Sequence, residues 1–166
     1  GMELHNQEDI EAVNIVLLGM LLNLIKTRVT TDCTATGLNG AAFSPPFSYP
    51  SFREAVRILY RGAWIGVSDV GRYFNSFPWA AEERKKMRFQ WRGQLYEFVG
   101  LCFGFTTCPY FTSTWSAEFR TWVLAELGPD PAHMVDDWFL LGRSEEEAVQ
   151  KCLALAVMLE ACGFHM

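Results

Sequence analysis

Two adjacent acids, Asp136-Asp137, stand inside an apolar run, with Met134-Val135 before them and Trp138-Phe139-Leu140-Leu141 after them. Side-by-side carboxylates are costly to bury unless they are solvated, paired or bound to a cation. The chain must therefore bring this point to the surface while its apolar flanks enter a core. The simplest solution is a short hairpin over residues 133–141 that turns at the acids. A turn role alone accounts for the pair, because Asp favours turns through its Asx hydrogen bond.

A second acid closes another apolar run, Trp64-Ile65-Gly66-Val67-Ser68-Asp69, which reads as a strand. Taken alone, Asp69 fits a cap or a turn. Set on neighbouring strands, Asp69, Asp136 and Asp137 form a three-carboxylate site. Hard oxygen donors of that kind suit Mg²⁺, which also takes substrate phosphate oxygens. Two such ions can activate a hydroxyl nucleophile and stabilise a leaving pyrophosphate.

The remaining pattern is mixed. Apolar residues Ile10, Val13, Leu17, Met20, Leu21 and Leu24 recur at helical spacing over 9–25. A strand-like stretch, 28–32, precedes a Gly/Pro/Ser-rich loop over 34–50, where Pro45-Pro46 and Pro50 oppose regular structure. Ser51 and Glu54 read as a capping box opening a helix with Phe52, Ala55, Val56, Leu59 and Tyr60 on its apolar face. A charged helix or turn is expected over 80–87, and a hairpin over 87–98 turning at Arg92-Gly93. A helix over 111–127 carries Trp115, Phe119, Trp122, Val123 and Leu127 on one side and stops at Gly128-Pro129-Asp130-Pro131. Ser144 to Glu147 caps a last helix that buries Ala148, Cys152, Leu155, Ala156 and Leu159. Helices set between partly hairpin-paired strands argue for an α+β fold, an antiparallel sheet with helices packed on one face.

Composition narrows the class. Half the 166 residues are apolar and 14% are aromatic, too many for a disordered chain. A net charge of −5 by itself argues against a nucleic-acid partner. Five cysteines, none in a C-x-x-C pair, and three histidines disfavour zinc and read as reduced thiols of an intracellular protein. The apolar stretch 12–25 is 14 residues long, shorter than the roughly 20 of a membrane span, so no membrane partner is expected. The acidic start is unlike a secretory leader, and Gly1 ahead of Met2 reads as an added residue. Neither G-x-x-x-x-G-K-[ST] nor G-x-G-x-x-G is present, which disfavours a doubly wound nucleotide-binding enzyme.

Four segments, in order, resemble the sequence blocks of reverse transcriptases from retroviruses and retrotransposons. Lys26-Thr27-Arg28-Val29-Thr30-Thr31-Asp32 with Leu38-Asn39 is similar to the fingers strand K-x-R-x-x-x-D … L-N. Asp69-Val70-Gly71-Arg72-Tyr73-Phe74, followed by Pro78, resembles the palm block D-x-x-x-x-[FY]. Leu101-Cys102-Phe103-Gly104-Phe105-Thr106-Thr107-Cys108-Pro109 resembles L-P-F-G-L-x-x-A-P, and Met134-Val135-Asp136-Asp137 resembles Y-x-D-D. The resemblance covers about residues 26–163 and departs at Met134, Cys102, Cys108 and Thr112.

The resemblance implies a right-hand polymerase palm with part of the fingers (residues 26–166) behind an N-terminal helical segment (1–25). It implies RNA-directed DNA polymerase activity, a nucleotidyl transfer that uses two Mg²⁺ or Mn²⁺ ions. Asp69 and Asp136 would be the principal metal ligands and Asp137 the less direct one. Arg28, with Lys26, would meet the incoming triphosphate. Phe74 would lie below the sugar and select dNTPs over NTPs, while Phe103 and Gly104 would approach the new base pair. The implied partners are an RNA or DNA template with its primer, dNTPs, and the remaining thumb and RNase H domains of a longer polyprotein.

Without a thumb, weak or no processive synthesis is expected from these 166 residues alone. The alternatives are an RNA-dependent RNA polymerase, disfavoured by Phe74, and a polymerase-like binding module without catalysis. The basic residues are clustered rather than even: Arg84, Lys85, Lys86, Arg88 and Arg92 fall within nine residues. Distribution is therefore a better guide to partners than net charge.

Overall fold

The computed structural model describes residues 30–50 and 52–165. The helical stretch 9–25, Lys26, Arg28 and the Ser51 cap lie outside the described residues. In chain order the elements are α1 (Leu38–Ala41), α2 (Phe52–Ile58), β1 (Trp64–Asp69), β2 (Arg88–Trp91), β3 (Gln94–Glu97), α3 (Cys108–Leu127), β4 (Ala132–Met134), β5 (Asp137–Gly142) and α4 (Glu145–Ala161). Short 3₁₀ turns occupy Phe74–Ser76 and Arg84–Met87. No described helix is long and apolar enough to cross a membrane. The chain packs as two units, one through residues 30–43 and 77–108, the other through 44–76 and 109–165.

In the first unit, β2 and β3 form the expected hairpin, with Arg88 opposite Glu97 and Trp91 opposite Gln94. The Arg92-Gly93 turn has both residues at positive φ, the conformation whose twist suits a two-residue hairpin. A small core gathers Cys33, Met87 and Cys102, with Leu38, Trp79, Phe98 and Phe105 against it. The strand-like stretch before residue 33 is reduced, among described residues, to a bridge between Thr30 and Phe103. The loop expected over 34–50 contains one helical turn, α1, because it ends before Pro45 and Asn39 anchors it through Cys33 O at 2.9 Å. All five cysteines are free thiols.

In the second unit, β1, β5 and β4 make an antiparallel sheet in the order β1-β5-β4. Register puts Gly66, Ser68, Trp138, Leu140 and Gly142 on one face and Ile65, Val67, Asp69, Asp137 and Phe139 on the other. Both long helices cover the first face. The Phe119 ring of α3 meets Trp138 edge-on at 5.5 Å, and α4 packs on β1 and β5. The α4 approach depends on Gly142, where an added Cβ would lie 2.4 Å from Ala148 N and 2.7 Å from Ser144 O. Ser144 caps α4 by accepting from Glu147 N, while the Glu147 carboxylate accepts from Arg143 N at 2.7 Å. Ala148, Leu155 and Leu159 are buried, whereas Cys152 and Ala156 are only partly covered.

Helix α3 differs from expectation in two respects. It begins three residues before 111, at Cys108, and its buried stripe is Thr112, Ser116, Phe119 and Val123, with Trp122 left 64% exposed. Ser116 holds a core position where its hydroxyl meets a buried phenol, while the Thr112 hydroxyl donates to Pro109 O at 3.2 Å. The Tyr73 hydroxyl donates to Thr112 O at 2.9 Å and pairs with Ser116 Oγ. Helix α2 ends at Ile58, and Val56, Leu59 and Tyr60 are exposed.

Candidate active site

The β1–β5 register aligns Asp69 with Asp137, so their side chains leave the same face at the same end of the sheet. Asp137 is also opposite Met134, which makes β4–β5 a tight hairpin turning at Val135-Asp136. Val70 N donates to Asp136 O at 3.1 Å and carries the pairing one residue past the strand end. One carboxylate oxygen from each of Asp69, Asp136 and Asp137 lies within 4.8 Å of the others. Asp69 is exposed and the other two are half-buried.

Burial, and then the charges of Asp136 and Asp69, push the Asp137 carboxyl above its usual range. Three carboxylates gathered this closely form a donor set that a divalent cation would satisfy. Val135 sits at φ 61°, a left-handed conformation unfavourable for a β-branched residue. Strain of that kind persists where surrounding structure over-determines the backbone, here the turn that presents Asp136.

Tyr73 follows β1 and is buried beneath this end of the unit. Its phenol is pushed up to about 12, first by burial, with a further contribution from the Asp136 charge. Phe74 is half-buried, and its ring meets Tyr73 at 5.7 Å. Arg72 is exposed and joins no ion pair among the described residues.

Phe103 and Gly104 belong to the first unit, and Thr31 holds their loop. Thr31 N and Oγ1 both donate to Phe103 O, at 3.1 and 2.8 Å. Gly104 has φ +98°, and a Cβ there would fall 1.8 Å from Thr31 O, so only glycine fits. Asn39 is the second anchor: Nδ2 donates to Gly104 O at 3.0 Å and Oδ1 accepts from Thr106 N at 2.9 Å. Of the five clustered basic residues, Lys86 and Arg88 are paired with Glu83 and Glu97. Arg84 donates to Trp79 O, and Arg92 lies over the Trp91 ring at 4.6 Å. Tyr73 and Asn39 had no assigned role from sequence. The available signal was small hydroxyl residues on the α3 stripe, and an Asn beside Leu38 in the first block.

No family profile matches the chain, and no curated protein matches it. The fold is nevertheless that of retroviral reverse transcriptases. A foamy viral protease-reverse transcriptase in complex with double-stranded DNA superposes with a TM-score of 0.71 at 18% identity, covering 84% of this chain and 24% of that one. A Prototype Foamy Virus protease-reverse transcriptase superposes at 0.51 with 24% identity, over 61% of this chain and 13% of that one. The foamy viral enzyme in complex with an RNA/DNA hybrid gives 0.51 at 18% identity, with the same coverage. The chain thus spans about a quarter or less of these proteins.

Proposed function

We propose that this chain is the palm and part of the fingers of an RNA-directed DNA polymerase, and that the second unit carries its catalytic centre. The observation that carries the reading is the convergence of Asp69, Asp136 and Asp137 within 4.8 Å at one end of an antiparallel sheet. The reverse-transcriptase-like fold supports it. Asp69 and Asp136 would hold two divalent cations, Mg²⁺ or Mn²⁺, with Asp137 contributing less directly. Bound ions there would lower the pKa of a primer 3′-hydroxyl and offset charge on the departing pyrophosphate.

The protein's own groups then bind and orient. Phe74 walls the sugar site and disfavours a 2′-hydroxyl. Phe103 and Gly104 bear on the new base pair, where a missing side chain permits close approach. Lys26 and Arg28 meet the triphosphate, Arg28 as a two-pronged donor. Template–primer duplex and dNTPs are the substrates, and thumb and RNase H domains of a longer polyprotein are the partners for processive synthesis.

Two measurements test this. Calorimetric titration with Mn²⁺ gives saturable binding that Asp136→Asn abolishes; equal binding to both proteins removes the site. Single-nucleotide primer extension then requires Mg²⁺ or Mn²⁺ and prefers dNTPs, and Phe74→Ala narrows that preference. A preference for NTPs by the unaltered chain replaces this reading with an RNA polymerase. Cation binding with no extension in any context leaves a binding module.

A further inference from the structure

A cavity of about 200 Å³ lies in the second unit, lined by Pro50, Ile58, Ala117, Arg120, Ala132 and His133. It is bounded by the segment leading into α2, by α3 and by β4. His133 and Trp138 are register partners on the helix-covered face of the sheet, opposite the face that carries Asp69 and Asp137. The cavity is therefore separate from the carboxylate cluster.

Among the described residues two polar side chains line it, His133 and Arg120. His133 is 6% exposed, yet its Nδ1 has no hydrogen-bond partner. Its ring is fixed by stacking on Trp138 at 4.8 Å. Arg120 is half-buried and makes no hydrogen bond or ion pair with another described residue. A guanidinium withdrawn from water calls for an acceptor, and none of the described lining residues is acidic. Burial, together with the Arg120 charge, holds His133 down at about 4, so it is neutral at pH 7. Among the described lining residues one cation, Arg120, therefore faces the cavity.

We propose that this cavity binds a small organic carboxylate, whose carboxyl group pairs with Arg120 while its compact apolar body packs on Pro50, Ile58 and the alanines. A carboxylate matches the guanidinium fork. The neutral imidazole of His133 completes the polar end, as it can donate or accept. The volume is below the roughly 300–1,000 Å³ of drug-sized sites, which limits the ligand to about a single ring. The four apolar side chains among the described lining residues favour a ring-bearing monoanion over inorganic phosphate.

The probe is benzoate, titrated into the full ¹⁵N-labelled chain and followed by NMR. Saturable shifts are expected at the Arg120 and Trp138 side-chain N–H groups and at the Ala132 and His133 amides. Benzamide, with the same ring and no charge, should bind at least tenfold more weakly, and inorganic phosphate should not compete. Arg120→Met should weaken benzoate at least tenfold, and Arg120→Lys should retain part of the affinity. No saturable shift at millimolar benzoate, equal binding of benzamide, or competition by phosphate overturns the proposal. So does undiminished binding to folded Arg120→Met. If that variant does not fold, the benzoate–benzamide contrast on the unaltered chain decides.

Discussion

Asp136→Asn should stabilise the protein in the absence of divalent cations while destroying its response to them. Asn keeps the shape of Asp and leaves the Val70 N to Asp136 O bond in place, since that bond uses the backbone. What changes is charge. At separations of 4.8 Å or less, two unit charges repel by about 1 kcal/mol with the screening of water, and by more at lower effective dielectric. The cluster is half-exposed to exposed, so the water-screened value applies. Asp136 takes part in two such pairs, so its neutralisation relieves about 2 kcal/mol at low ionic strength.

For a chain of this size that is a rise in Tm of roughly 4–8 °C, read by thermal unfolding in EDTA. Adding Mn²⁺ at a hundredfold excess over Kd should stabilise the unaltered chain by about 2.7 kcal/mol and the variant far less. The two curves should therefore converge or cross as cation is added. A variant less stable than the parent in EDTA, or one that gains as much from Mn²⁺, refutes the reasoning. It would mean that the three carboxylates neither repel nor share a cation.

Other residues give sharper single readings. His133 is held down at about 4, against 6.5 in the unfolded chain; the unfolded state then binds the extra proton, so stability falls as pH drops through that window. Urea unfolding at pH 7 and pH 4 should show this loss, up to about 3 kcal/mol, and His133→Phe should remove it. Tyr73→Phe leaves the buried Ser116 hydroxyl without its phenol partner and should cost about 1–3 kcal/mol by urea denaturation. Gly142→Ala drives a Cβ into the α4 backbone, and it should lower Tm by more than the few degrees of a surface substitution.

Local chemistry made several elements legible in advance. Ser144 with Glu147 announces the α4 cap, and Arg92-Gly93 announces the hairpin turn, because both signals act over four residues or fewer. The apolar strand ending in Asp69 and the hairpin at the Asp pair were equally visible. Trp122 shows where such reasoning fails. Periodicity counts it as core, but the buried stripe runs through Thr112, Ser116, Phe119 and Val123, and the large ring stays in solvent. A hydroxyl at Ser116 suits that stripe because Tyr73, far away in sequence, meets it there, and no window over α3 contains Tyr73.

The same distinction divides the candidate site. Sequence by itself supplied three acids and the local turns and strand ends that carry them. Only the pairing of β1 with β5 in one particular register put Asp69 opposite Asp137, and a slip of one residue would send one of them to the helix-covered face. Register is decided by which side chains fill the space under α3 and α4, chiefly Trp138, Leu140 and the vacancy at Gly142. The Arg120–His133 cavity belongs wholly to that tertiary level, since neither residue has a neighbour in sequence that marks it as part of a site.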